Sequence, residues 1–240
     1  MASSPQPLVP PDAFLRDAEA LGIAFEGDDL ERLGAYLGLL LEANTRFNLT
    51  AVTDPDAAWI KHVLDSLTLL PYVVSAGARR VIDVGSGGGL PGVPLAIALP
   101  EVGLALLEAT RKKAEFLEEA ARRLGLENVS VINDRAETVG RDRRLHRERY
   151  DVVVARAVGR LAVLLELALP LVKVGGHVLV IKGRQATKEI DEAQTAFRLL
   201  HGAPVQTVRT PTGTIVVIEK LRATPNRYPR RPGEPKRAPL

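Results

Sequence analysis

Residues 83–100, DVGSGGGLPGVPLAIALP, place four glycines among the five positions from Gly85 to Gly89. Each glycine loses conformational entropy on folding, so such a cluster indicates a turn where the backbone approaches another group closely. The cluster follows a β-branched run and precedes an apolar helical pattern. This predicts the first strand-to-helix turn of a doubly wound sheet, outside the carboxyl end of a strand, where such folds bind ligands.

The residues around this turn restrict the ligand. A P-loop requires Gly-Lys-Ser/Thr at the start of its helix, and this stretch contains neither lysine nor arginine, which argues against a nucleoside triphosphate. Gly85 and Gly87 begin a dinucleotide fingerprint, G-x-G-x-x-G, but its third glycine is replaced by Leu90. Glu108 ends the second predicted strand, where a carboxylate can hold two ribose hydroxyls. Glu108 alone suits either NAD or S-adenosylmethionine.

Charge distinguishes these two cofactors. A dinucleotide brings a pyrophosphate, which binds at a helix N-terminus. S-adenosylmethionine brings a sulfonium and an ammonium, which favour a nearby carboxylate. Asp83 lies directly before the glycines, and it therefore favours S-adenosylmethionine.

Alternating strand and helix patterns must position this turn. Helices are predicted over residues 12–21, 28–43 and 57–70, the last closed by Pro71. From residue 79 onward β-branched runs alternate with helical ones, including helices over 161–172 and 186–200, which is typical of a parallel sheet covered on both faces. The last two strands predict an antiparallel hairpin at the sheet edge. We expect a disordered leader (1–11), a helical layer (12–75), an α/β domain (76–222) and a basic tail (223–240).

Composition excludes several kinds of chemistry. The chain of 240 residues has no cysteine, which excludes disulfides, thiolate metal sites and cysteine nucleophiles. No signal-peptide pattern begins the sequence, and no apolar run reaches the roughly 18 residues of a membrane span. We therefore expect a cytoplasmic protein without a bound metal. The formal net charge is only +3, but residues 227–240 hold five Lys/Arg and one Glu, which suggests an anionic partner.

Seven motifs resemble, in order and spacing, those of the RsmG family (glucose-inhibited division protein B). They are HVLDSLTLL, DVGSGGGLPGVPLAI, EATRKKAEFL, DRAE, YDVVVARAV, GGHVLVIKG and the closing YPRRPGEPKRAPL. The resemblance runs from about residue 48 to the end of the chain. It implies an enzyme that uses S-adenosylmethionine to methylate N7 of a guanine in 16S rRNA of the small ribosomal subunit. We expect this enzyme to be a monomer. The implied fold is the class I methyltransferase, a Rossmann-like, mostly parallel seven-stranded sheet with an antiparallel edge hairpin and added N-terminal helices.

The residue pattern and the resemblance together predict a set of cofactor contacts. They follow the first three strands of the domain, with Arg156 at the pocket rim beside the methyl group: Asp83, Gly85, Ser86, Gly87, Gly89, Leu90, Glu108, Ala109, Thr110, Ala136, Glu137 and Arg156. Two features depart from the family pattern. Thr214 stands where a basic residue is expected before the last strand, and the glycine turn has Gly88 and Leu90 where Ala or Pro and Phe are frequent.

The chemistry of the residues agrees with attack by N7. Methylation of a pyrimidine carbon 5 commonly needs a cysteine adduct. Exocyclic amines commonly need an Asn/Asp-Pro-Pro-aromatic loop where this chain has Ala-Arg-Ala-Val. Guanine N7 has a free lone pair and needs no general base, so positioning can supply the acceleration. We assign Arg156 to guanine O6, a flanking phosphate or the cofactor carboxylate, although it could instead pair with a structural carboxylate. We assign Lys182 to a phosphate, although it could equally be a solvated strand-end lysine.

Other residues suggest contacts with the target base or with RNA. His62, Asp65 and Ser66 share one helix and could close over the target base or serve a structural role, which we slightly favour for His62. Phosphate contacts are predicted at Arg227, Tyr228, Arg230, Arg231, Lys236 and Arg237, with Tyr228 also able to stack on a base. The basic stretch 141–149 is a second candidate patch, or a solvated loop.

Three other functions remain open at this point. A small-molecule methyltransferase would explain the cofactor turn but not the basic tail. A ribosome-assembly or RNA-binding protein could retain an idle cofactor site. An NAD-dependent reductase is the most distant alternative.

Overall fold

The computed structural model describes residues 6–240, in which a seven-stranded sheet lies between two helical layers. The strands are β1 (Arg80–Val84), β2 (Gly103–Leu107), β3 (Val129–Ile132), β4 (Tyr150–Arg156), β5 (Val172–Lys182), β6 (Gly202–Arg209) and β7 (Thr214–Lys220). The helices are α1 (Asp12–Ala20), α2 (Asp29–Asn44), α3 (Pro55–Ala58), a π-helical segment (Trp59–Leu64), α4 (Asp65–Leu67), α5 (Leu70–Ser75), α6 (Gly92–Ala98), α7 (Arg111–Arg123), α8 (Ala136–Val139), α9 (Leu161–Ala168), α10 (Ala186–Glu192), α11 (Gln194–Leu200) and α12 (Glu234–Arg237).

The strands follow the order β3-β2-β1-β4-β5-β7-β6. Strands β1 to β5 all run parallel to one another, while β7 is antiparallel to both β5 and β6. The predicted parallel sheet with an antiparallel edge hairpin is therefore confirmed. The order reverses between β1 and β4, so the carboxyl ends of these two strands form the switch point where doubly wound sheets bind ligands.

Alternate residues of the central strands enter two separate cores. Val81 and Val152 face the core beneath the N-terminal helices, α6 and α7. Ile82 and Val153 face the core beneath α9 and α11. Both faces of the central strands are covered, which explains their nearly continuous apolar sequences.

The N-terminal helical layer packs directly on the glycine turn. The Tyr36 hydroxyl of α2 donates to the Gly88 carbonyl at 2.7 Å, and a Cβ added at Gly88 would lie 2.7 Å from Leu40 Cδ1. The layer extends beyond the predicted leader boundary, because the Leu8 amide donates to the Gly34 carbonyl at 3.2 Å. The prediction of a disordered leader is thus wrong at Leu8, while residues 1–5 lie outside the described part of the chain.

Helix boundaries differ from the predicted ones at two prolines, and two predicted helices are interrupted. Pro71 does not close a helix but lies in the first turn of α5, where its missing N–H leaves no hydrogen bond unmade. The helix predicted over 57–70 is interrupted by the π-helical segment. Helix α9 ends at Ala168, two residues before Pro170, rather than at 172. The helix predicted over 186–200 is divided into α10 and α11 at Ala193.

The C-terminal segment, residues 223–240, packs on the domain rather than extending from it. The buried Arg147 guanidinium donates to the carbonyls of Gly140, Thr224 and Tyr228 at 2.7–2.9 Å. Arg141 Nε donates to the Pro229 carbonyl at 2.9 Å. The segment is therefore a part of the folded domain.

Within residues 6–240, none of the helices has the length and apolar character needed to cross a membrane.

Gly92→Ala should destabilise the protein because an added Cβ would lie 2.3 Å from Leu106 Cδ2 and 2.8 Å from Asp83 Oδ2. Overpacking of this kind costs about 1–3 kcal/mol, which should exceed the gain in helix propensity. Gly103→Ala is the matched control, since its nearest non-local atom would be the Arg79 carbonyl oxygen at 3.5 Å. Equilibrium urea unfolding measures both variants, and equal stability of the two would contradict the packing at Gly92.

Candidate cofactor site

A cavity of about 690 Å³ opens at the carboxyl ends of β1, β2 and β4. Its volume lies within the range of small-molecule and cofactor sites, roughly 300–1,000 Å³. The glycine turn, the end of β2, the α8 turn, the β4–α9 loop and α9 all contribute to its walls, together with the C-terminal segment. The residues that line the cavity include Gly85, Glu108, Ala109, Asp134, Ala136, Glu137, Val158, Arg160, Val163, Leu167, Gly233, Pro235, Lys236, Arg237 and Pro239.

The glycine turn joins β1 to α6, and its backbone adopts a conformation that favours glycine. Gly85, Gly87 and Gly89 have φ values of +75°, +58° and +97°, in the left-handed region. The amides of Gly85 and Ser86 both donate to the Leu107 carbonyl, at 2.8 and 3.1 Å. A Cβ at Gly85 would lie 2.9 Å from Val158 Cγ2, so only glycine fits without movement of the facing loop.

Glu108 is buried and held by backbone amides on both carboxylate oxygens. Oε2 accepts from the Gly87 amide at 3.0 Å and Oε1 from the Thr110 amide at 2.7 Å. Each oxygen keeps a further acceptor site, because a carboxylate oxygen has two lone pairs. This fixed pair of acceptors at the cavity wall is suited to two neighbouring hydroxyl groups.

Asp83 is completely buried and supports the turn from behind. Its Oδ2 accepts from the Gly92 amide at 3.0 Å, while Oδ1 has no hydrogen-bond partner among the described residues. Burial raises the pKa of Asp83 to about 7, although the hydrogen bond from Gly92 acts in the opposite direction. Asp83 therefore fixes the start of α6 and does not line the cavity, which corrects its predicted direct contact with the cofactor.

Several other predicted cofactor contacts support the turn instead of lining the cavity. Ser86 is buried and its Oγ donates to the Asp83 carbonyl at 3.0 Å. Leu90 packs in the core beneath the N-terminal helices, and its contact with the cofactor stays a prediction. A Cβ at Gly89 would meet Val93 Cγ2 at 2.6 Å. These positions face away from the cavity because the turn must also pack against the helical layer.

The segment after β3 does line the cavity. Ala136 and Glu137 contribute to its wall, so their contact with an adenine ring stays a prediction that the geometry allows. Glu137 Oε1 accepts from the Gly233 amide at 2.7 Å and so also holds the C-terminal segment. Asp134, which the sequence reasoning missed, lies in the same wall. Its position directly after a predicted strand was the available signal.

Arg156 ends β4 but joins that strand to the helical layer. Its Nη1 donates to the Lys61 carbonyl at 2.7 Å and to Asp65 Oδ2 at 3.0 Å. The other Asp65 oxygen accepts from Thr212 Oγ1. Arg156 is therefore held in a largely buried ion pair, and its contact with a guanine or with the cofactor stays a prediction.

His62 belongs to the same polar cluster. Its Nδ1 lies 3.3 Å from Arg156 Nη2, and an arginine can only donate, so Nδ1 is the acceptor. The remaining proton is on Nε2, which lies 2.7 Å from Thr50 Oγ1. Burial, with the positive charge of Arg156 beside it, lowers the pKa of His62 to about 4. Ser66 Oγ donates to the His62 carbonyl, which completes a structural cluster.

Lys182 is buried at the end of β5 and supports the β4–α9 loop. Its ammonium donates to the Gly159 carbonyl at 2.6 Å and to Glu189 Oε2 at 2.8 Å. The same Glu189 oxygen accepts from the Leu161 amide at 2.8 Å, at the start of α9. The side chain of Lys182 is only 6% exposed and already paired with Glu189, and its phosphate contact stays a prediction.

Residues 29–215 match the family model described as "GidB: rRNA small subunit methyltransferase G". A Ribosomal RNA small subunit methyltransferase G from Sorangium cellulosum is 48% identical over 227 residues, covering 94% of both chains. The protein of the same name from Alkaliphilus metalliredigens is 41% identical, covering 95% of this chain and 98% of its own. This chain belongs to the rRNA small subunit methyltransferase G family. The suspected RsmG resemblance is thereby confirmed.

Solved structures of lower identity share the fold of this family member. The O-methyltransferase from Bacillus cereus in complex with SAH has a TM-score of 0.60 at 19% identity, covering 86% of this chain and 97% of that chain. The O-methyltransferase TomG from Streptomyces achromogenes in complex with SAM has a TM-score of 0.59 at 18% identity, covering 87% and 96%. At this identity the similarity concerns the fold alone, and it confirms the predicted class I methyltransferase architecture.

The basic residues of this family member divide into anchors and exposed cations. Tyr228 is only 5% exposed and packs in the second core, and Arg230 pairs with the buried Glu166, so both residues anchor the segment and their RNA contacts stay predictions. Arg227, Arg231, Lys236 and Arg237 are exposed, and their contact with RNA stays a prediction.

The structure also locates the second predicted basic patch, residues 141–149, and Thr214. In the stretch 141–149, Arg147 is buried against the C-terminal segment, while Arg143, Arg144 and Arg149 are exposed. Thr214 pairs with Lys182 across the β5–β7 ladder, where the expected basic residue would stand beside an ammonium.

We expect His62 to make stability depend on pH. The unfolded imidazole binds its proton near pH 6.5 and the folded one near pH 4, so the unfolded chain binds more protons between these values. The contribution of His62 is therefore fully present above pH 6.5 and is lost as the pH falls towards 4. Asp83 acts in the opposite direction over a similar range, because its folded pKa is raised.

Comparison with His62→Gln isolates the histidine from Asp83. The stability difference between wild type and variant, measured by urea unfolding, should shrink by up to a few kcal/mol from pH 7 to pH 4. Direct titration of the imidazole by NMR provides the second measurement. A His62 midpoint near or above 6.5 would contradict the buried, neutral state.

Proposed function

We propose that this chain transfers a methyl group from S-adenosylmethionine to N7 of a guanine in 16S rRNA of the small ribosomal subunit. Membership of the rRNA small subunit methyltransferase G family supports the reaction class and the substrate class. The observation that carries the cofactor assignment is the Glu108 carboxylate, fixed by two amides at the wall of the switch-point cavity.

The cavity fits S-adenosylmethionine better than a dinucleotide. The amide of Gly92, in the first turn of α6, donates to Asp83. The Asp83 carboxyl group therefore already occupies the amide at the helix N-terminus that a pyrophosphate would need. An adenosine needs only the hydroxyl acceptors of Glu108 and an apolar surface for the ring, which Val163 and Leu167 provide.

S-adenosylmethionine supplies, when bound, an electrophilic methyl group on a sulfonium. Glu108 would hold the ribose hydroxyls, and the absence of a side chain at Gly85 lets the ligand approach the backbone. The Lys182–Glu189 pair fixes the β4–α9 loop, whose Val158 and Arg160 line the cavity. The Arg156–Asp65 pair fixes the end of β4 against the helical layer.

Attack by N7 needs no proton acceptor from this chain. The candidate base in the nearby helical layer, His62, is buried and hydrogen-bonded to Thr50 and Arg156. Catalysis would then depend on holding the two reactants in line and excluding water, which contributes about 7–11 kcal/mol in favourable cases. The exposed cations Arg227, Arg231, Lys236 and Arg237 would contact RNA phosphates.

Glu108→Gln should weaken binding of S-adenosylhomocysteine by about tenfold or more, because an amide cannot accept from both the Gly87 and Thr110 amides while also accepting from two hydroxyls. Isothermal titration calorimetry without RNA gives the affinity directly. Glu127→Gln, an exposed charge-matched control in the α7–β3 turn, should retain wild-type affinity. Unchanged affinity of Glu108→Gln would refute the ribose assignment.

Transfer of labelled methyl to 16S rRNA, and to intact small subunits from a strain lacking the modification, tests the whole proposal. We expect label on N7 of a single guanine, mapped by mass spectrometry. Binding of S-adenosylhomocysteine without label on either substrate would leave the cofactor assignment standing and overturn the RNA assignment, in favour of a small-molecule acceptor.

A further inference from the structure

We infer that the C-terminal segment is part of the cofactor site, where residues 233–239 complete the wall of the cavity. This inference rests on the proposed function, because it concerns how the same cavity holds S-adenosylmethionine. Gly233, Pro235, Lys236, Arg237 and Pro239 line the cavity together with Glu108 and Glu137. Two proline rings contribute rigid apolar surface, which loses little side-chain entropy when a ligand packs on it.

A buried ion pair anchors the segment to α9. The Glu166 carboxylate has no exposed surface and accepts from the Arg230 amide at 2.7 Å, from Nε at 2.9 Å and from Nη2 at 2.6 Å. Arg230 Nη2 also donates to the Ala238 carbonyl at 2.8 Å, which draws the last residues back onto the helix. Helix α9 itself lines the cavity through Val163 and Leu167, so the ion pair places the segment next to that wall.

A second anchor connects the segment to α8. Glu137 lines the cavity, and its Oε1 accepts from the Gly233 amide at 2.7 Å. Gly233 has a φ of +82°, which lets the backbone turn there and begin α12 along the cavity. Glu137 is thus a positioning residue for the wall, whatever contact it makes with a ligand.

A third anchor uses charges from the second basic patch. Arg147 donates to carbonyls at Thr224 and Tyr228, and Arg141 donates to the Pro229 carbonyl. Ordering the backbone of the segment costs conformational entropy, and these charge-assisted bonds offset that cost. The wall is therefore built before any ligand or RNA arrives.

A truncation that keeps the anchors of residues 224–233, and removes only the bond to Ala238, tests the inference. Removal of residues 234–240 keeps the Arg230–Glu166 pair and the Glu137–Gly233 bond. Calorimetric titration with S-adenosylhomocysteine, in the absence of RNA, should show an affinity loss of about tenfold or more relative to the full chain. Equal affinity of both forms, with weakened binding of 16S rRNA, would assign the segment to RNA alone and overturn the inference while leaving the proposed function intact.

Side-chain variants keep the test decisive if the truncated chain fails to fold. Lys236→Ala combined with Arg237→Ala removes two wall residues, and Arg198→Ala combined with Arg222→Ala removes two exposed cations outside the cavity. We expect weaker S-adenosylhomocysteine binding for the first pair and wild-type binding for the second. Equal binding by both pairs would overturn the inference, and a full chain that binds no S-adenosylhomocysteine would overturn the proposed cofactor as well.

Glu137 provides a third comparison. Glu137→Gln keeps an oxygen for the Gly233 amide and should retain most of the affinity, whereas Glu137→Ala should lose it. Equal losses in the two variants would show that the charge acts on the ligand directly, which would contradict the positioning role.

Discussion

The carboxylate of Glu108 bonded to the Gly87 amide is the interaction on which the rest of this site depends. It ties the glycine turn after β1 to the end of β2, while the Thr110 amide fixes the second oxygen. Asp83 completes the arrangement from the buried side by holding Gly92 at the start of α6. These carboxylates hold the backbone amides of Gly87, Gly92 and Thr110. The turn thereby keeps the left-handed backbone conformation that leaves the cavity open at Gly85.

Buried charges support the loops around this turn instead of performing chemistry. Arg156 pairs with Asp65 and Lys182 pairs with Glu189, each at a strand end beside the cavity. Removing one partner of a buried pair leaves an uncompensated charge, which typically costs about 3–5 kcal/mol. Such pairs therefore specify where the β4–α9 loop and the helical layer lie, which matters in a reaction that depends on positioning rather than on a base.

The C-terminal segment shows the same principle on a larger scale. The sequence of the segment is strongly basic, yet Arg230 pairs with the buried Glu166. The backbone amide of Gly233, where the segment turns, donates to Glu137. Among the cations that remain exposed, Lys236 and Arg237 line the cavity. One segment thus combines a structural anchor, a wall of the cavity and a positively charged surface at its opening.

The sequence by itself determined the elements that local patterns encode: the alternating strands and helices, the edge hairpin, the glycine turn and the carboxylate of Glu108 at a strand end. These follow from hydrophobic periodicity and from the backbone freedom of glycine, which are properties of neighbouring residues. The tertiary structure alone decided the roles of the charged residues. Arg156, Lys182 and Arg230 find partners 91, 7 and 64 residues away, and whether such a cation is paired and buried or free for a ligand depends on that partner, which no local pattern reveals.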